Sequence, residues 1–200
     1  MKTLCTIICI GFIMLNAKAQ TAQQKISLPY FSNWVQPALV DFGAYEKLTA
    51  RVKKHRVSHL VTLDTFLVMS KQKDVVILDT RSDSMYNAKH LKGALHLNFS
   101  DFNQYSLAQL IPNRKTRILI YCNNNFGDDP NYFVTKIAQP SQPPRSFSNQ
   151  PLTLALNIPT YINLFGYGYE NVYELSELVS VRSSKISFEG TAVNLTAVSK

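Results

Sequence analysis

The run Ile118-Leu119-Ile120-Tyr121-Cys122, followed at once by Asn123-Asn124-Asn125-Phe126-Gly127-Asp128, narrows the fold more than any other stretch of this chain. It opens at Arg117, after a turn of Pro112, Asn113, Arg114 and Lys115. An unbroken apolar segment rich in β-branched isoleucine predicts a strand buried on both faces, the kind found in parallel sheets. Asparagine and glycine enter turn and left-handed conformations more easily than other residues, so the backbone can curl directly behind the sulfur. Consecutive amides in such a curl converge into an anion-binding nest, and a thiolate placed there becomes reactive near neutral pH. A packed cysteine closing a strand before an ordinary loop has the same pattern, because free cysteine is among the most buried residue types.

The flanking segments alternate between the two periodicities. Val57–Val61 predicts a short strand. Leu63–Met69 predicts a helix capped by Thr62 or Asp64, with Phe66, Leu67 and Met69 turned inward. Val75–Arg81 predicts an apolar strand ending in charge, 82–89 a short helix or turn, Gly93–Leu97 a third strand, and Phe102–Leu110 a helix stopped near Pro112. Residues 129–152 hold Pro130, Pro140, Pro143, Pro144 and Pro151 among polar residues. This is a long irregular insertion, either a lid over the cysteine or a surface excursion. Leu154–Phe165 is helical, Val172–Leu175 is a buried strand, and 185–190 alternates as an edge strand does. Strands alternating with helices predict an α/β domain at 57–180 with a central, mainly parallel sheet flanked by helices, and ligands in such sheets bind beyond the carboxyl ends of the strands.

Upstream, an apolar run from Leu4 to Leu15 behind Lys2, ending in Ala17-Lys18-Ala19, predicts a secretory leader at 1–19. Cys5 and Cys9 leave with it, so Cys122 is alone in the mature chain and no internal disulfide is possible. An unpaired thiol in an oxidising compartment must be buried or used. The expected location is periplasmic or secreted, the lack of disulfides favouring a periplasm, with no membrane attachment after leader removal. Losing Lys2 and Lys18 takes 21 basic residues to 19 against 13 acidic, and the net charge from +8 to +6. The surplus gathers in Lys47–Arg56, a solvated helix face in an exported protein without nucleic acid to bind. Residues 20–56 form an accessory segment carrying Tyr30, Phe31, Trp34, Phe42 and Tyr45, with Tyr45, Leu48 and Val52 on one helical face. Residues 181–200 are a tail. The scattered histidines and single sulfur show no metal-ligand spacing.

Four segments occur in a telling order: Val76-Ile77-Leu78-Asp79-Thr80-Arg81; Tyr86 to Leu95, containing His90, Gly93 and Ala94; Ile118 to Cys122; and Gly168 to Leu175. In that order they resemble a rhodanese-like domain. The resemblance implies a three-layer α/β fold and no cofactor. It also implies that Cys122 carries a persulfide and passes sulfane sulfur from a donor to an acceptor, either a small thiol or a protein. The amides of Asn123, Asn124, Asn125, Phe126 and Gly127 would hold the anion. Asp79 and Arg81 would form an ion pair supporting the end of the sheet, His90 would brace a turn or carry a proton, and Asp128 would flank the loop.

Two departures stand out. The loop lacks Arg and Lys and ends in Asp128-Asp129, and a carboxylate near the sulfur repels a thiolate and an anionic donor by about 1 kcal/mol. Weak thiosulfate cleavage is therefore expected. Ser176-Glu177 also replaces the family's closing Gly-Gly turn. Two functions remain open: an exported sulfurtransferase or persulfide carrier, and a non-catalytic binding module on the same scaffold. A thiol redox protein is disfavoured because no second cysteine could resolve a disulfide.

Overall fold

The computed structural model describes residues 37–138 and 152–193. The leader, Tyr30, Phe31, Trp34 and most of the proline-rich insertion lie outside the described residues. The chain divides after Val40, and every element below belongs to the unit that opens at Asp41.

Helix α1 spans Phe42–Arg56; the Asp41 carboxylate accepts the Ala44 amide at 2.8 Å, and Lys53, Lys54, His55 and Arg56 complement the negative end of its dipole. Val52 is buried while Tyr45, expected on the same face, is exposed. The cause is length. Leu48 meets the end of helix α5 (Asn157–Gly166), where a Cβ at Gly166 would stand 3.0 Å from it, so Tyr45, a turn earlier, has passed beyond the partner helix.

Val57–His59 is a 3₁₀ turn rather than a strand. The Ser58 hydroxyl and His59 Nδ1 both bond back to the His55 carbonyl, prolonging the helical path, and strand β1 shrinks to Leu60–Val61. Helix α2, Leu63–Ser70, is capped by Thr62 and buries Leu63, Phe66 and Met69, with Leu67 half-buried. Strand β2 is Val75–Asp79. It stops two residues short of Arg81 because the Asp79 carboxylate accepts the Arg81 amide at 3.0 Å and turns the chain. Helix α3, Asp83–Ala88, leads to β3, His90–Leu91, and then to β4, Leu95–His96; Gly93, at φ +78°, is in the turn between them rather than in a strand.

The predicted helix at 102–110 starts two residues later, as helix α4, Gln104–Leu110, because Asn103 and Ser106 form a reciprocal capping box; a separate 3₁₀ turn, Phe99–Asp101, precedes it. Strand β5 is Arg117–Tyr121, followed by a 3₁₀ turn at Asn123–Asn125 and by β6, Phe126–Gly127. Strands β7, Ile137–Ala138, and β8, Leu152–Thr153, pair antiparallel, so the insertion has an ordered ladder at its base. Helix α5 accommodates Pro159 in its first turn, where a missing N–H costs nothing. Strand β9 is Val172–Leu175, β10 is Val179–Ser180 and β11 is Phe188–Glu189.

The main sheet has the order β1-β9-β5-β2-β4, and every neighbouring pair is parallel. This is the α/β architecture expected from the alternation. Strand β11 joins β3, and not the edge of the main sheet; β10 joins β6. Strand β5 is central and buried on both faces. Ile118 and Ile120 pack with Val52, Leu107, Tyr161 and Phe165 on one side, and Leu119 and Tyr121 with Phe66, Phe126 and Phe133 on the other. Among the described residues no helix is long and apolar enough to cross a membrane.

Leu107 is fully buried in the first of these clusters. Leu107→Ala is expected to lower the unfolding free energy by about 3 kcal/mol, read from urea denaturation, through lost transfer energy plus the cavity left behind.

Candidate active site

Cys122 directly follows β5 at its carboxyl end and is 1% exposed. Backbone N–H groups of Asn157, Asn124 and Leu156 donate to its sulfur. Two of these three amides come from the start of α5, a helix whose N-terminus has no side-chain cap. The sulfur therefore occupies the place of a capping acceptor.

The nest differs from the one expected of residues 123–127. Asn125 shares its amide between the Cys122 carbonyl, at 3.1 Å, and the Cys122 side chain, while Phe126 donates to the Asn123 carbonyl and is spent inside the 3₁₀ turn. Phe126 and Gly127 then pair with Val179 and Ser180, and the Phe126 ring is in the core. Asn124 and Asn125 are the residues of this loop whose amides reach the sulfur; the others come from 35 or so residues downstream, a distance the insertion disguises in the sequence.

The Asn125 side chain locks the turn: Oδ1 accepts the Cys122 amide and Nδ2 of Asn157, each at 2.9 Å, while Nδ2 donates to the Leu175 carbonyl at 2.7 Å. Burial pushes the Cys122 thiol above its ordinary pKa. The amides of Asn157 and Asn124 oppose this, the negative charge of Glu174 adds to it, and the Leu156 amide opposes it again. The net shift is upward, the reverse of the lowered pKa expected of a nest, because desolvation of a buried sulfur outweighs three amide dipoles.

The carboxylates also differ from expectation. Asp128, at φ +68°, accepts the Ser180 hydroxyl at 2.7 Å, and Asp129 pairs with Lys89 at 2.8 Å. The carboxylate that acts on the sulfur is Glu174, nearly buried in β9 and ion-paired with Arg56. The insertion carries a cation, Lys136, that the loop itself lacks. Asn124 clasps the Lys136 backbone, accepting its amide at 2.9 Å and donating to its carbonyl at 3.3 Å. The Lys136 side chain lines a cavity of about 450 Å³ together with Arg81, Met85, Asn123, Leu154 and Leu156.

Asp79 and Arg81 form a buried pair on the other face of the sheet. Nη2 of Arg81 lies 2.6 Å from Oδ2 of Asp79, and the Tyr121 hydroxyl donates to that same oxygen at 2.6 Å. Arg81 also reaches the Lys89 and Tyr132 carbonyls and, at 3.5 Å, Oδ1 of Asn123. His90 lies away from the cavity: its ring stacks on Tyr86 at 3.8 Å, Nδ1 bonds the Tyr86 carbonyl at 2.7 Å, and Nε2 lies 3.7 Å from Glu189. It braces α3 against the tail and has no path to the sulfur. Sequence reasoning missed Leu156, Asn157, Lys136, Glu174 and Arg56. Only Glu174 carried a signal, as a charge inside an apolar strand, which demands a buried partner.

A family model described as a rhodanese-like domain matches residues 62–177, more than half of the chain. The thiosulfate sulfurtransferase GlpE of Coxiella burnetii is 30% identical over 67 residues, covering 34% of this chain and 56% of the relative. The chain thus spans little more than half the length of the curated relatives it matches. Among solved structures, the BH2092 protein from Bacillus halodurans is similar at 14% identity, covering 74% of this chain and 88% of its own, with a TM-score of 0.42. The Alr3790 protein from Anabaena is similar at 19% identity, covering 66% and 84%, with a TM-score of 0.39.

The raised thiol pKa has a measurable consequence. A thiol whose pKa is higher folded than unfolded contributes stability that is complete below the unfolded pKa and is lost as pH rises through the folded one. From the ordinary thiol pKa of about 8.5 upward, the wild-type urea midpoint should therefore fall more steeply with pH than that of Cys122→Ser. Parallel slopes would mean that the thiol titrates alike in both states.

Proposed function

Because the chain belongs to the rhodanese-like domain family, we propose that it is an exported sulfurtransferase or persulfide carrier, periplasmic or secreted, with Cys122 as its nucleophile. The observation that carries this reading is the convergence of backbone amides from two distant segments on one sulfur at the carboxyl end of the central strand. Such donors stabilise negative charge on sulfur without a cation or a metal.

In the first half-reaction the Cys122 thiolate attacks the sulfane sulfur of the donor. A Cys122–sulfur bond forms, and the donor's bond to that sulfur breaks. The donor residue leaves with the electron pair, as sulfite from thiosulfate or as a thiolate from a persulfide. In the second, an acceptor nucleophile takes the outer sulfur and the thiolate returns. Burial and the Glu174 charge oppose formation of that thiolate and the approach of an anionic donor. Both favour a donor of low charge, a low-molecular-weight persulfide or a protein persulfide, over dianionic thiosulfate.

The near-complete burial of Cys122 supports a second reading, a rhodanese-like module that binds a protein or ligand without chemistry. Intact mass after incubation with thiosulfate or with a small persulfide separates the two. The sulfurtransferase reading expects one added sulfur atom, faster from the persulfide, absent in Cys122→Ser and discharged by a thiol acceptor. No added sulfur from either donor would leave the binding module.

A further inference from the structure

We propose that Arg56 is a positioning residue of the Cys122 site: it holds the Glu174 carboxylate in a two-point ion pair and so neutralises the one buried acid that, among the described residues, shares the sulfur's side of the sheet. The proposal rests on the reading of Cys122 as a group that must work as a thiolate.

Strand register places the acid. Glu174 of β9 is opposite Ile120 of β5, and Cys122, two residues beyond Ile120, points to the same face because side chains alternate along a strand. Both therefore lie beneath α5. Glu174 is 5% exposed, and an unpaired carboxylate there would be costly. Arg56 supplies the pair: Nε donates to Oε2 at 2.5 Å and Nη2 to Oε1 at 2.6 Å, the forked geometry that only a guanidinium provides.

Asn157 joins this pair to the sulfur. Its Nδ2 donates to Glu174 Oε1 at 3.3 Å and to Asn125 Oδ1 at 2.9 Å, and its backbone amide donates to the sulfur. Of the other charged groups, Lys136 lines the cavity beside Asn123 and Leu156. Glu174 also faces the Tyr161 phenol of α5, a neutral group hydrogen-bonded to His55 of α1 at 3.0 Å. Arg81, across the sheet, is engaged with Asp79.

Arg56 is the last residue of α1 and lies before the stretch matched to the family at 62–177. Helix α1 is fixed over α5 by Val52 in the core, by the His55–Tyr161 bond and by Arg51 above the Phe165 ring at 5.3 Å. A helix outside the matched stretch thus completes the electrostatics of the site. Without Arg56 the charge of Glu174 is uncompensated and holds the proton on sulfur.

The test is the pH profile of iodoacetamide alkylation at Cys122 in the full chain, for wild type, Arg56→Met, Glu174→Gln and the double variant, with circular dichroism to establish folding. Arg56→Met should raise the midpoint by about one unit, which slows alkylation about tenfold at a fixed pH below it. Glu174→Gln should lower the midpoint, and in its background the rise caused by Arg56→Met should shrink to less than half. Arg56→Lys, which keeps the charge and loses the fork, should return the midpoint part of the way to wild type. An unchanged midpoint in Arg56→Met, or an equal rise with and without Glu174, overturns the proposal. Should Arg56→Met not fold, Glu174→Gln carries the test, and no downward shift there is equally fatal. Sulfur loading is measured separately, so a wild type that accepts no sulfur removes the sulfurtransferase reading while these midpoints still decide the pairing.

Discussion

Most of the site depends on one buried carboxylate. Asp79 is fully enclosed at the end of β2 and accepts hydrogen bonds from the Arg81 amide, the Arg81 guanidinium and the Tyr121 hydroxyl. A charge in that position persists only if every lone pair is occupied, and the groups occupying it come from the ends of both neighbouring central strands. Arg81 spends its remaining donors on the carbonyls of Lys89 and Tyr132 and on Asn123. The connection after α3, the loop after the cysteine and the start of the insertion are thereby tied to a single point. Replacing such a pair with apolar groups of similar volume is often neutral in stability, so its contribution here is read as fixing where three loops go.

The opposite face of the sheet handles charge differently. There the sulfur is buried, and burial disfavours its anion, while amides at the start of α5 and in the post-cysteine turn favour it. Desolvation outweighs the amides, and the charge of a neighbouring acid adds to it. Strand alternation keeps the two problems apart: Tyr121 points to Asp79, and Cys122, the next residue, points beneath α5. Two buried acids one strand apart on either side of β5 are thus assigned to different faces and different cations, Arg81 for Asp79 and Arg56 for Glu174.

The insertion illustrates how a fold tolerates length. Asn124 and the residues at 156–157 must meet at the sulfur whatever lies between them, and the short ladder of Ile137–Ala138 with Leu152–Thr153 brings the two ends of the excursion together. Once the ends are fixed, added loop length costs little entropy. The same arrangement puts Lys136 and Leu154 on the wall of the cavity that Asn123 and Leu156 also line.

The α/β class, the central strand, the cysteine at its end and the Asp79–Arg81 spacing were all legible in the residues, because apolar runs, β-branching and turn chemistry act over a few neighbours and leave a local trace. Element ends were read less well wherever a side chain redirected the backbone, as Asp79 does to Arg81 and Asn103 does at α4. The anion-binding groups, the sign of the thiol's pKa shift and the acid that acts on it were decided only by tertiary structure. Which amides reach a sulfur, how much water is removed from it and which carboxylate shares its face depend on strand register and on contacts between residues as far apart as Arg56 and Glu174. Desolvation and Coulomb energy follow distance in space, and a linear chain does not carry that distance.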